Sequence, residues 1–327
     1  MAEITSAGIS ARMEGMFPEP HFVETNGIRM AVFEEGQGDP VIFLHGFPEL
    51  AFSWRFQLPA LAEAGYRPIA IDQRGYGQTT VPPNVADYRI DELIGDIIGL
   101  LDNLELERSI FVGHDWGAFV LWHMSLLCPE RMEKQAILNI PFWPRPPIDP
   151  IDLFRQRFGD DFYIVNFQDS DEADRAFASD PAHFFDVLMR KNQVSRKDFD
   201  RLPPGRRVLS LLKVFAREES SGDPILNNEE LAYFAAAFAG TGFTGPINWY
   251  RNWSANWKRL DGVPQIIDVP TLFIGATDDI VVSPEHIAGM KPYVTNLETH
   301  VLENCGHWSQ QERPEDVNRI LIDWLNA

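Results

Sequence analysis

An acidic residue between two glycines is the first feature of the chain that could do chemistry. Residues 113–117 read Gly-His-Asp-Trp-Gly and lie between an apolar run and a helical pattern. This is the arrangement of a nucleophile elbow, a sharp strand-to-helix turn that lifts its central side chain out of a sheet. The start of the following helix also favours a negative charge. An aspartate between glycines often only caps a turn, but this context predicts that Asp115 is a nucleophile.

A carboxylate in this position sets the class of reaction. It can displace a leaving group at a saturated carbon and form an alkyl ester with its own side chain. Water then cleaves this ester by attacking the carboxyl carbon of Asp115. A serine would instead form an ether, which water could not cleave in the same way. The residue type therefore predicts cleavage of an alkyl–oxygen or alkyl–halogen bond.

The second step needs a base for water, and a histidine near the C-terminus is the candidate. Residues 305–308 read Cys-Gly-His-Trp and lie between the last predicted strand and the last predicted helix. The order nucleophile, acid, histidine is one of those found in hydrolase triads. We therefore predict His307 as the base. A Cys-Gly-His segment could also be half of a metal site, but no second cysteine or histidine cluster in the sequence completes it.

Two adjacent aspartates follow the penultimate predicted strand, where an acid that orients the histidine is expected. We prefer Asp279, and Asp278 remains the alternative; either could also be an ordinary loop residue. The acid would fix the imidazole tautomer and stabilise the charge that develops on the ring.

A His-Gly-Phe-Pro turn at residues 45–48 follows the first strong strand pattern. Such a turn can aim the backbone N–H of Phe47 at a developing oxyanion, with the N–H of Trp116 as its partner. A plain Gly-Pro loop is the alternative. We expect His45 to be structural rather than a base.

The remaining motifs predict no cofactor. Residues 72–77 contain Gly-x-Gly, but Thr80 stands where a dinucleotide-binding fingerprint needs its third glycine. The Gly-Lys-Ser/Thr pattern of a phosphate-binding loop does not occur either. We expect neither a nucleotide nor a metal.

Short apolar runs alternate with helical patterns and must position these residues. Runs that are apolar on both faces suit strands of a parallel sheet covered on both sides. The alternation predicts an α/β fold with a mostly parallel, doubly wound sheet, preceded by a loose arm of about twenty residues. The predicted strands are 40–44, 67–72, 109–113, 134–139, 270–275 and 297–302, and the predicted helices are 90–104, 117–128 and 314–326.

The alternation stops between residues 141 and 270. This stretch opens with PFWPRPPIDP and continues with helical patterns rich in Phe, Trp and charged residues. We predict a core in two parts, residues 1–141 and 266–327. A helical cap over residues 142–265 would be inserted after the fourth to sixth core strands.

The composition restricts the partners. The chain has 327 residues, 48 acidic and 28 basic side chains, a formal net charge of −20 and two cysteines. The charge disfavours nucleic acid and anionic membrane surfaces and makes a neutral substrate the default. The few cysteines and the lack of a signal-peptide pattern or a long apolar stretch predict a soluble cytoplasmic protein. A homodimer is left open.

Together these motifs resemble those of the epoxide hydrolases of the α/β-hydrolase fold, in particular the C-terminal hydrolase domain of the mammalian soluble members. The resemblance runs from about residue 20 to residue 326 and rests on HGFPE, SWRFQLPALAEAGYR, GYGQT, GHDWGA, NWYRNWSANW and ENCGHW. It implies cofactor-independent hydrolysis of a small neutral epoxide to a vicinal diol.

The resemblance also implies two tyrosines that hold and protonate the epoxide oxygen. Tyr250 lies in Trp-Tyr-Arg-Asn, and Tyr163 lies in FYIVNFQ. A phenol suits this role, because ring opening creates an alkoxide that a pre-placed O–H stabilises. Trp116, Tyr163 and Tyr250 are the implied substrate-binding side chains.

Other functions share parts of this pattern. Haloalkane dehalogenases have the aspartate elbow and bind halide with the tryptophan beside it, here Trp116, but usually carry Asn or Glu where this chain has Phe47. Haloacetate dehalogenases carry an arginine at the position of Trp116. A non-catalytic small-ligand-binding protein on the same fold is the alternative of another class.

Overall fold

An eight-stranded sheet forms the centre of the molecule in the computed structural model, which describes residues 17–191, 193–203, 207–281 and 284–327. Its strands are β1 (His21–Thr25), β2 (Ile28–Glu34), β3 (Pro40–Leu44), β4 (Arg67–Ile71), β5 (Ser109–His114), β6 (Met132–Leu138), β9 (Thr271–Ala276) and β10 (Leu297–Leu302). A separate pair is formed by β7 (Arg190–Lys191) and β8 (Asp223–Pro224). The sheet order is β1-β2-β4-β3-β5-β6-β9-β10, parallel except for the β1–β2 and β2–β4 pairs.

Helices connect most of these strands. They are α1 (Gln57–Glu63), α2 (Ile90–Asn103), α3 (Trp116–Leu127), α4 (Pro150–Phe158), α5 (Tyr163–Asp169), α6 (Glu172–Ser179), α7 (Pro181–Leu188), α8 (Arg196–Arg201), α9 (Leu211–Phe215), α10 (Asn228–Thr241), α11 (Thr244–Arg251), α12 (Trp253–Arg259), α13 (Pro284–Ala288), α14 (Ser309–Glu312) and α15 (Pro314–Leu325). Short 3-10 turns lie at Ala51–Trp54, Val85–Tyr88 and Pro129–Arg131. In the described part of the chain, no helix is both long enough and apolar enough to cross a bilayer.

The predicted parallel α/β fold is confirmed. β3 and β10 have the predicted bounds, and the other predicted strands differ by one or two residues at one or both ends. Residues 1–16 of the loose arm predicted over about the first twenty residues lie outside the described residues. The hairpin of β1 and β2, which follows this arm, is a difference from the prediction, because neither strand was predicted. Its turn is Asn26-Gly27, with φ of 43° and 75°. Asn-Gly suits a hairpin turn because both central residues need positive φ.

The parallel strands are buried on both faces. Val41 and Phe43 of β3 belong to one hydrophobic cluster, together with residues of α1 and α15. Ile42 and Leu44 belong to a second cluster, together with residues of α2 and α3. Successive side chains of a strand point to opposite faces of the sheet. Helices on both sides therefore explain why these strands are continuous apolar runs in the sequence.

The segment between β6 and β9 consists mainly of α4 to α12, and we call residues 150–259 the helical insert. It follows the sixth strand of the chain, and the two-residue strands β7 and β8 lie within it, where no strand was expected. Side chains of α11 and α12 hold the insert on the core. The indole of Trp249 donates to the carbonyl oxygen of Arg74 at 3.1 Å, and Asn256 Oδ1 accepts from the N–H of Ile90 at 2.9 Å.

Candidate active site

The carboxyl ends of five neighbouring parallel strands meet at one edge of the sheet. Each strand is followed by a predicted site residue or, after β6, by an asparagine. Across the edge these are Phe47 after β3, Asp115 after β5, Asn139 after β6, Asp279 after β9 and His307 after β10. Parallel strands end at a common edge, so residues far apart in the chain become neighbours there. The fold thus brings the predicted nucleophile, acid and base together.

Asp115 adopts a backbone conformation that residues other than glycine rarely adopt. Its φ is 49° and its ψ is −115°, at the turn from β5 into α3. The turn is tight, since a Cβ on Gly117 would lie 2.0 Å from the carbonyl oxygen of Leu44. Strained backbone persists only where the surrounding structure imposes it, and it clusters at active sites. The strand–turn–helix expected around residues 113–117 is present.

One backbone amide and one imidazole face the carboxylate of Asp115. Its Oδ1 accepts from the N–H of Phe47 at 2.8 Å, and its Oδ2 lies 3.5 Å from Nε2 of His307. The side chain is 13% exposed. Burial alone would raise its pKa, but the nearby imidazoles and the Phe47 amide outweigh burial and hold the pKa below its ordinary value. Asp115 is therefore ionised at neutral pH.

The imidazole of His307 lies between two carboxylates. Its Nδ1 is 2.9 Å from Oδ2 of Asp279, while its Nε2 faces Asp115. The structure thus places Asp279 against the histidine. Asp278 instead accepts from the backbone N–H of Arg196 at 3.0 Å.

Asp279 is 1% exposed, and both of its carboxylate oxygens accept hydrogen bonds. Oδ2 accepts from Nδ2 of Asn139 at 2.8 Å, and Oδ1 accepts from the N–H of Val281 at 2.9 Å. Burial alone would raise the pKa of Asp279, but the facing His307 and these hydrogen bonds hold the pKa below its ordinary value. The carboxylate therefore stays negative although it is buried, and it stabilises positive charge on the imidazole.

The pKa of His307 depends on both carboxylates. Burial alone would lower it, but Asp279 and Asp115 outweigh burial and hold the pKa well above its ordinary value. The ring is therefore protonated at neutral pH while Asp115 is charged. Loss of the charge on Asp115 would remove one of the interactions that keep the pKa high. The protonation state of the histidine is thus linked to the state of the aspartate.

Two tyrosines of the helical insert pack against each other, and one of them also packs against residues next to Asp115. Tyr163 begins α5 and Tyr250 lies in α11, with 5.6 Å between their ring centroids. The ring of Tyr250 packs edge-on against Phe47 and Trp116, with centroid distances of 5.2 and 5.0 Å. Burial, with a smaller contribution from the charge of Asp115, raises the pKa of both phenols. Both tyrosines therefore stay protonated and can donate hydrogen bonds.

Contacts within the insert fix the helices that carry these tyrosines. Nε2 of Gln168 donates to the carbonyl oxygen of Tyr250 at 2.9 Å and ties α5 to α11. Next to Tyr250, Arg251 donates to the carbonyl oxygen of Phe167 and pairs with the buried Asp174 at 2.7 Å. A buried ion pair with further hydrogen bonds fixes geometry more than it adds stability. These contacts explain the arginine of the Trp-Tyr-Arg-Asn motif.

The two backbone amides predicted for an oxyanion hole lie on either side of the nucleophile. The N–H of Phe47 already donates to the carboxylate of Asp115. Trp116 is the first residue of α3, so its N–H is one of those left without an intrahelical acceptor at a helix N-terminus. The oxyanion role of both amides stays a prediction.

Other candidate groups stand apart from this chemistry. His45 is fully buried, its Nε2 accepts from the N–H of Gln73 at 3.1 Å, and burial lowers its pKa to about 4. Such an imidazole is neutral and acts as an acceptor within the fold. Within the described ranges, no group of three or more His, Cys, Asp or Glu side chains could hold a metal ion.

The chain is similar to named proteins over nearly its whole length. Residues 39–314 match the family described as the α/β hydrolase fold. Epoxide hydrolase A of Mycobacterium tuberculosis is 40% identical over 324 residues, which cover 95% of this chain and 98% of that protein. The chain belongs to the epoxide hydrolase family.

Members of the epoxide hydrolase family from distant sources share this similarity. Bifunctional epoxide hydrolase 2 of Sus scrofa is 35% identical over 92% of this chain, which spans 54% of that longer relative. The crystal structure of epoxide hydrolase A from Mycobacterium thermoresistibile is 38% identical and covers 95% of this chain and 98% of its own, with a TM-score of 0.86. The resemblance stated from the sequence motifs is confirmed, and these relatives are named for a hydrolase class that acts on ether bonds.

A buried glutamate–histidine pair lies behind the site of this epoxide hydrolase family member, and the sequence did not predict it. Nδ1 of His114 is 2.6 Å from Oε2 of Glu49, and its Nε2 is 2.8 Å from the carbonyl oxygen of His307. Both side chains are fully buried. The pair therefore touches both the elbow and the loop of the histidine. Its signal in the sequence is an imidazole directly before Asp115, in an otherwise apolar strand.

Two further supporting residues were not predicted. Asn139 leaves β6 with a φ of 68° and holds the carboxylate of the acid through its side-chain amide. The carboxylate of Glu312 accepts from the N–H of Gly306 at 3.0 Å and from that of Trp308 at 3.1 Å. It therefore holds the backbone on both sides of His307. Neither residue has a local signal beyond being polar next to a predicted strand or motif.

Proposed function

We propose that this chain hydrolyses a small neutral epoxide to a vicinal diol through an ester on Asp115. The observation that carries the proposal is an ionised carboxylate close to two protonated phenols, Tyr163 and Tyr250. The carboxylate can attack a ring carbon while a phenol protonates the departing oxygen. The relatives named epoxide hydrolases support the same reaction. Apart from water, the steps as proposed use only side chains and backbone amides of the chain.

In the first step, a carboxylate oxygen of Asp115 bonds to one ring carbon as the carbon–oxygen bond at that carbon breaks. The electron pair of the broken bond goes to the epoxide oxygen, which accepts hydrogen bonds from Tyr163 and Tyr250. One phenol transfers its proton to this oxygen and becomes a phenolate. The raised pKa of both phenols keeps their protons in place until the more basic alkoxide develops. The product is a hydroxyalkyl ester of Asp115.

In the second step, water attacks the carboxyl carbon of the ester and gives a proton to His307. The amides of Phe47 and Trp116 donate to the oxyanion that forms. When this intermediate collapses, the bond between the carboxyl carbon and the alkyl oxygen breaks, and the imidazolium protonates the departing oxygen. The diol leaves, and the proton of the new Asp115 carboxyl returns to the phenolate through solvent.

The histidine becomes a base only after the first step. While Asp115 is ionised, its charge and that of Asp279 keep His307 protonated. Ester formation neutralises Asp115, so the pKa of His307 falls and the ring releases its proton to solvent; the ring takes up a proton from solvent again when Asp115 is ionised at the end of the cycle. Asp279 then stabilises the imidazolium that forms when water is deprotonated. The charge on Asp115 thus determines that His307 acts as a base only in the second step.

We also propose that residues 142–265 act as a cap over the carboxyl edge of the sheet. The insert supplies both phenols and an apolar wall, since Phe167 and Trp253 pack on Tyr250 with centroid distances of 5.2 and 6.2 Å. Such a wall excludes bulk water and strengthens the electrostatic interactions within the site. The neutral lining also agrees with a neutral substrate.

A single turnover in heavy-oxygen water tests the ester. With the protein in excess over styrene oxide, the first diol should carry unlabelled oxygen from Asp115, and the label should enter the peptide that contains Asp115. Label in the diol of the first turnover would show direct attack of water on the epoxide and would refute the ester.

Haloalkane dehalogenation is the second candidate, because Trp116 follows the nucleophile, where those enzymes carry the tryptophan that binds halide. A panel of terminal, trans-disubstituted and fatty-acid epoxides beside 1-haloalkanes separates the candidates. Turnover of epoxides alone supports the proposal, and turnover of haloalkanes alone replaces it. Inactivity on both sets would favour the non-catalytic ligand-binding alternative. The cytoplasmic location, the lack of nucleic-acid partners and a homodimer stay predictions from the sequence.

A further inference from the structure

One segment of the helical insert contacts the loop that carries Asp279, residues 277–281, which we call the acid loop. The backbone N–H of Arg196, the first residue of α8, donates to Oδ1 of Asp278 at 3.0 Å. Nη1 of the same arginine donates to the backbone carbonyl oxygen of Asp279 at 3.2 Å. Arg196 therefore meets the acid loop twice, once through its backbone and once through its side chain.

The start of α8 is itself well fixed. The hydroxyl of Ser195 accepts from the N–H of Asp198 at 3.1 Å and so caps the helix. The guanidinium of Arg196 also contacts Asp200 at 3.1 Å, one turn further along. The arginine side chain is 23% exposed, so these contacts lie mainly within the protein. A fixed helix start gives the acid loop a rigid partner.

The core holds the same loop from its other side. The N–H of Thr277 donates to the carbonyl oxygen of Leu302, and the N–H of Asp278 donates to that of Cys305. The carboxylate of Asp279 is oriented by Asn139 and Val281, as described above. The backbone of Asp279, by contrast, meets the insert through Arg196. The acid is thus held between core and insert.

We propose that Arg196 and Asp278 form a latch through which the helical insert positions Asp279 against His307. The latch consists of the two hydrogen bonds from Arg196 to the acid loop. Arg196 and Asp278 are positioning residues, since neither contacts Asp115 or the phenols in the part of the chain that the structure describes. This inference rests on the proposed function, because it concerns the orientation of the base in ester hydrolysis.

The latch acts on one chemical step more than on the other. Ester formation needs the carboxylate of Asp115 and the two phenols, whose contacts among the described residues do not involve α8. Ester hydrolysis needs His307 held in one orientation by Asp279. A loosened acid loop should therefore slow the second step and leave the first nearly unchanged. A merely structural contact would affect both steps through general loss of folded protein.

Rapid-quench kinetics with styrene oxide measure the two steps separately. Arg196→Gln removes the guanidinium bond to the carbonyl oxygen of Asp279 and should slow ester hydrolysis about tenfold, because a small misplacement of a group that orients the base is costly in rate. Ester formation should stay within about twofold of the wild-type rate. Arg201→Gln is the matched control, because Arg201 lies in the same helix and pairs with Asp198 on the exposed surface.

Variants of Asp278 test the latch at the carboxylate that accepts the hydrogen bond from the Arg196 N–H. Asp278→Ala should also slow ester hydrolysis, and Asp278→Asn, which keeps an oxygen acceptor for the Arg196 N–H, should restore most of the rate. The proposal is overturned if Arg196→Gln and Arg201→Gln behave alike, or if both steps slow by the same factor. A wild-type protein that hydrolyses epoxides without an ester would instead refute the proposed function, and the latch with it.

Discussion

The candidate site has a charged half and a neutral half, and the two are built differently. The charged half is Asp115, Asp279 and His307, from loops at the carboxyl edge of the sheet, and directed hydrogen bonds hold its members. The neutral half is Tyr163 and Tyr250, from the helical insert, and aromatic packing surrounds it. The ionised side chains thus lie on loops at the sheet edge, and the neutral hydrogen-bond donors lie on helices.

Burial raises the pKa of the carboxyl groups and of the phenols alike, but it opposes the charge of the first half and favours the protonated state of the second. It would raise the pKa of Asp115 and Asp279, so amides and an imidazole must outweigh it. It also raises the pKa of the phenols, which helps them to keep their protons for a developing alkoxide. One buried environment therefore suits both halves, because hydrogen-bond donors are supplied to the carboxylates and aromatic rings surround the phenols.

The largest expected effect comes from breaking the charged half at its base. His307→Gln should lower turnover by about 10⁴-fold, because water then lacks its general base. Ester formation should continue, since Asp115 and both phenols remain. Mass spectrometry of the intact protein after incubation with styrene oxide should show an adduct of one epoxide on Asp115.

A matched substitution tests whether this result is specific. His300→Gln changes an exposed histidine of β10, the strand that leads to the loop of His307, and should leave turnover unchanged. An inactive His307→Gln protein that still binds the epoxide but forms no adduct would contradict the role of His307 as base of the second step.

Residues at strand ends could be predicted from the sequence, whereas their partners could not. Asp115 and His307 lie in short motifs after continuous apolar runs, and buried parallel strands produce such runs. Glu49 and His114 are 65 positions apart, and they meet only because β3 and β5 are neighbours in the sheet. Strand order is not a local property of a sequence, so this pair could not be foreseen.

The neutral half was predictable in another way. Tyr163 and Tyr250 were found through a family resemblance, because ring packing between helices leaves no regular spacing in the chain. The structure brings the two rings to 5.6 Å from 87 positions apart. The choice between Asp278 and Asp279 was likewise open in the sequence, since adjacent loop residues differ only in where the fold directs their side chains.

A smaller effect is expected from breaking the neutral half. Tyr163→Phe and Tyr250→Phe should each slow ester formation by roughly 10²-fold, the lower end of the loss when one donor to a developing oxyanion is removed. The phenyl rings keep the packing, so binding should change little. Because burial raises the pKa of both phenols, kcat/KM of the wild type should also hold its value well into the basic range. Stopped-flow rates of ester formation measure both effects.

Tyr76→Phe is the matched control for the phenols. Tyr76 is fully buried against His45 and Trp249, and its hydroxyl has no hydrogen-bond partner among the described residues. Removing an unpartnered buried hydroxyl should leave the rate of ester formation unchanged. Equal losses in all three variants would show that the rates follow packing rather than hydrogen-bond donation.

The smallest effect is expected from Asn139→Gly, which tests how hydrogen bonds hold the charged half in place. Glycine keeps the left-handed backbone of this position, and the hydrogen bonds of the side chain are lost, namely those to Asp279, to the carbonyl oxygen of Gly306 and from the hydroxyl of Ser309. A carboxylate that loses a donor holds the proton of His307 more firmly, so the pKa of His307 rises in the ester. The acid limb of kcat should therefore move to higher pH, and kcat at neutral pH should fall about tenfold.

Asn304→Gly is the same substitution at another left-handed position, with φ of 51°, on an exposed residue close to the loop of His307. It should move neither kcat nor its acid limb, because its side chain lies on the surface. An acid limb that moves equally in both variants would mean that loop flexibility, rather than the hydrogen bond from Asn139, sets the pKa of His307. A shift of the acid limb of kcat in Asn139→Gly alone would show that a residue after β6 sets the pKa of His307. The charged half would then depend on several neighbouring strands.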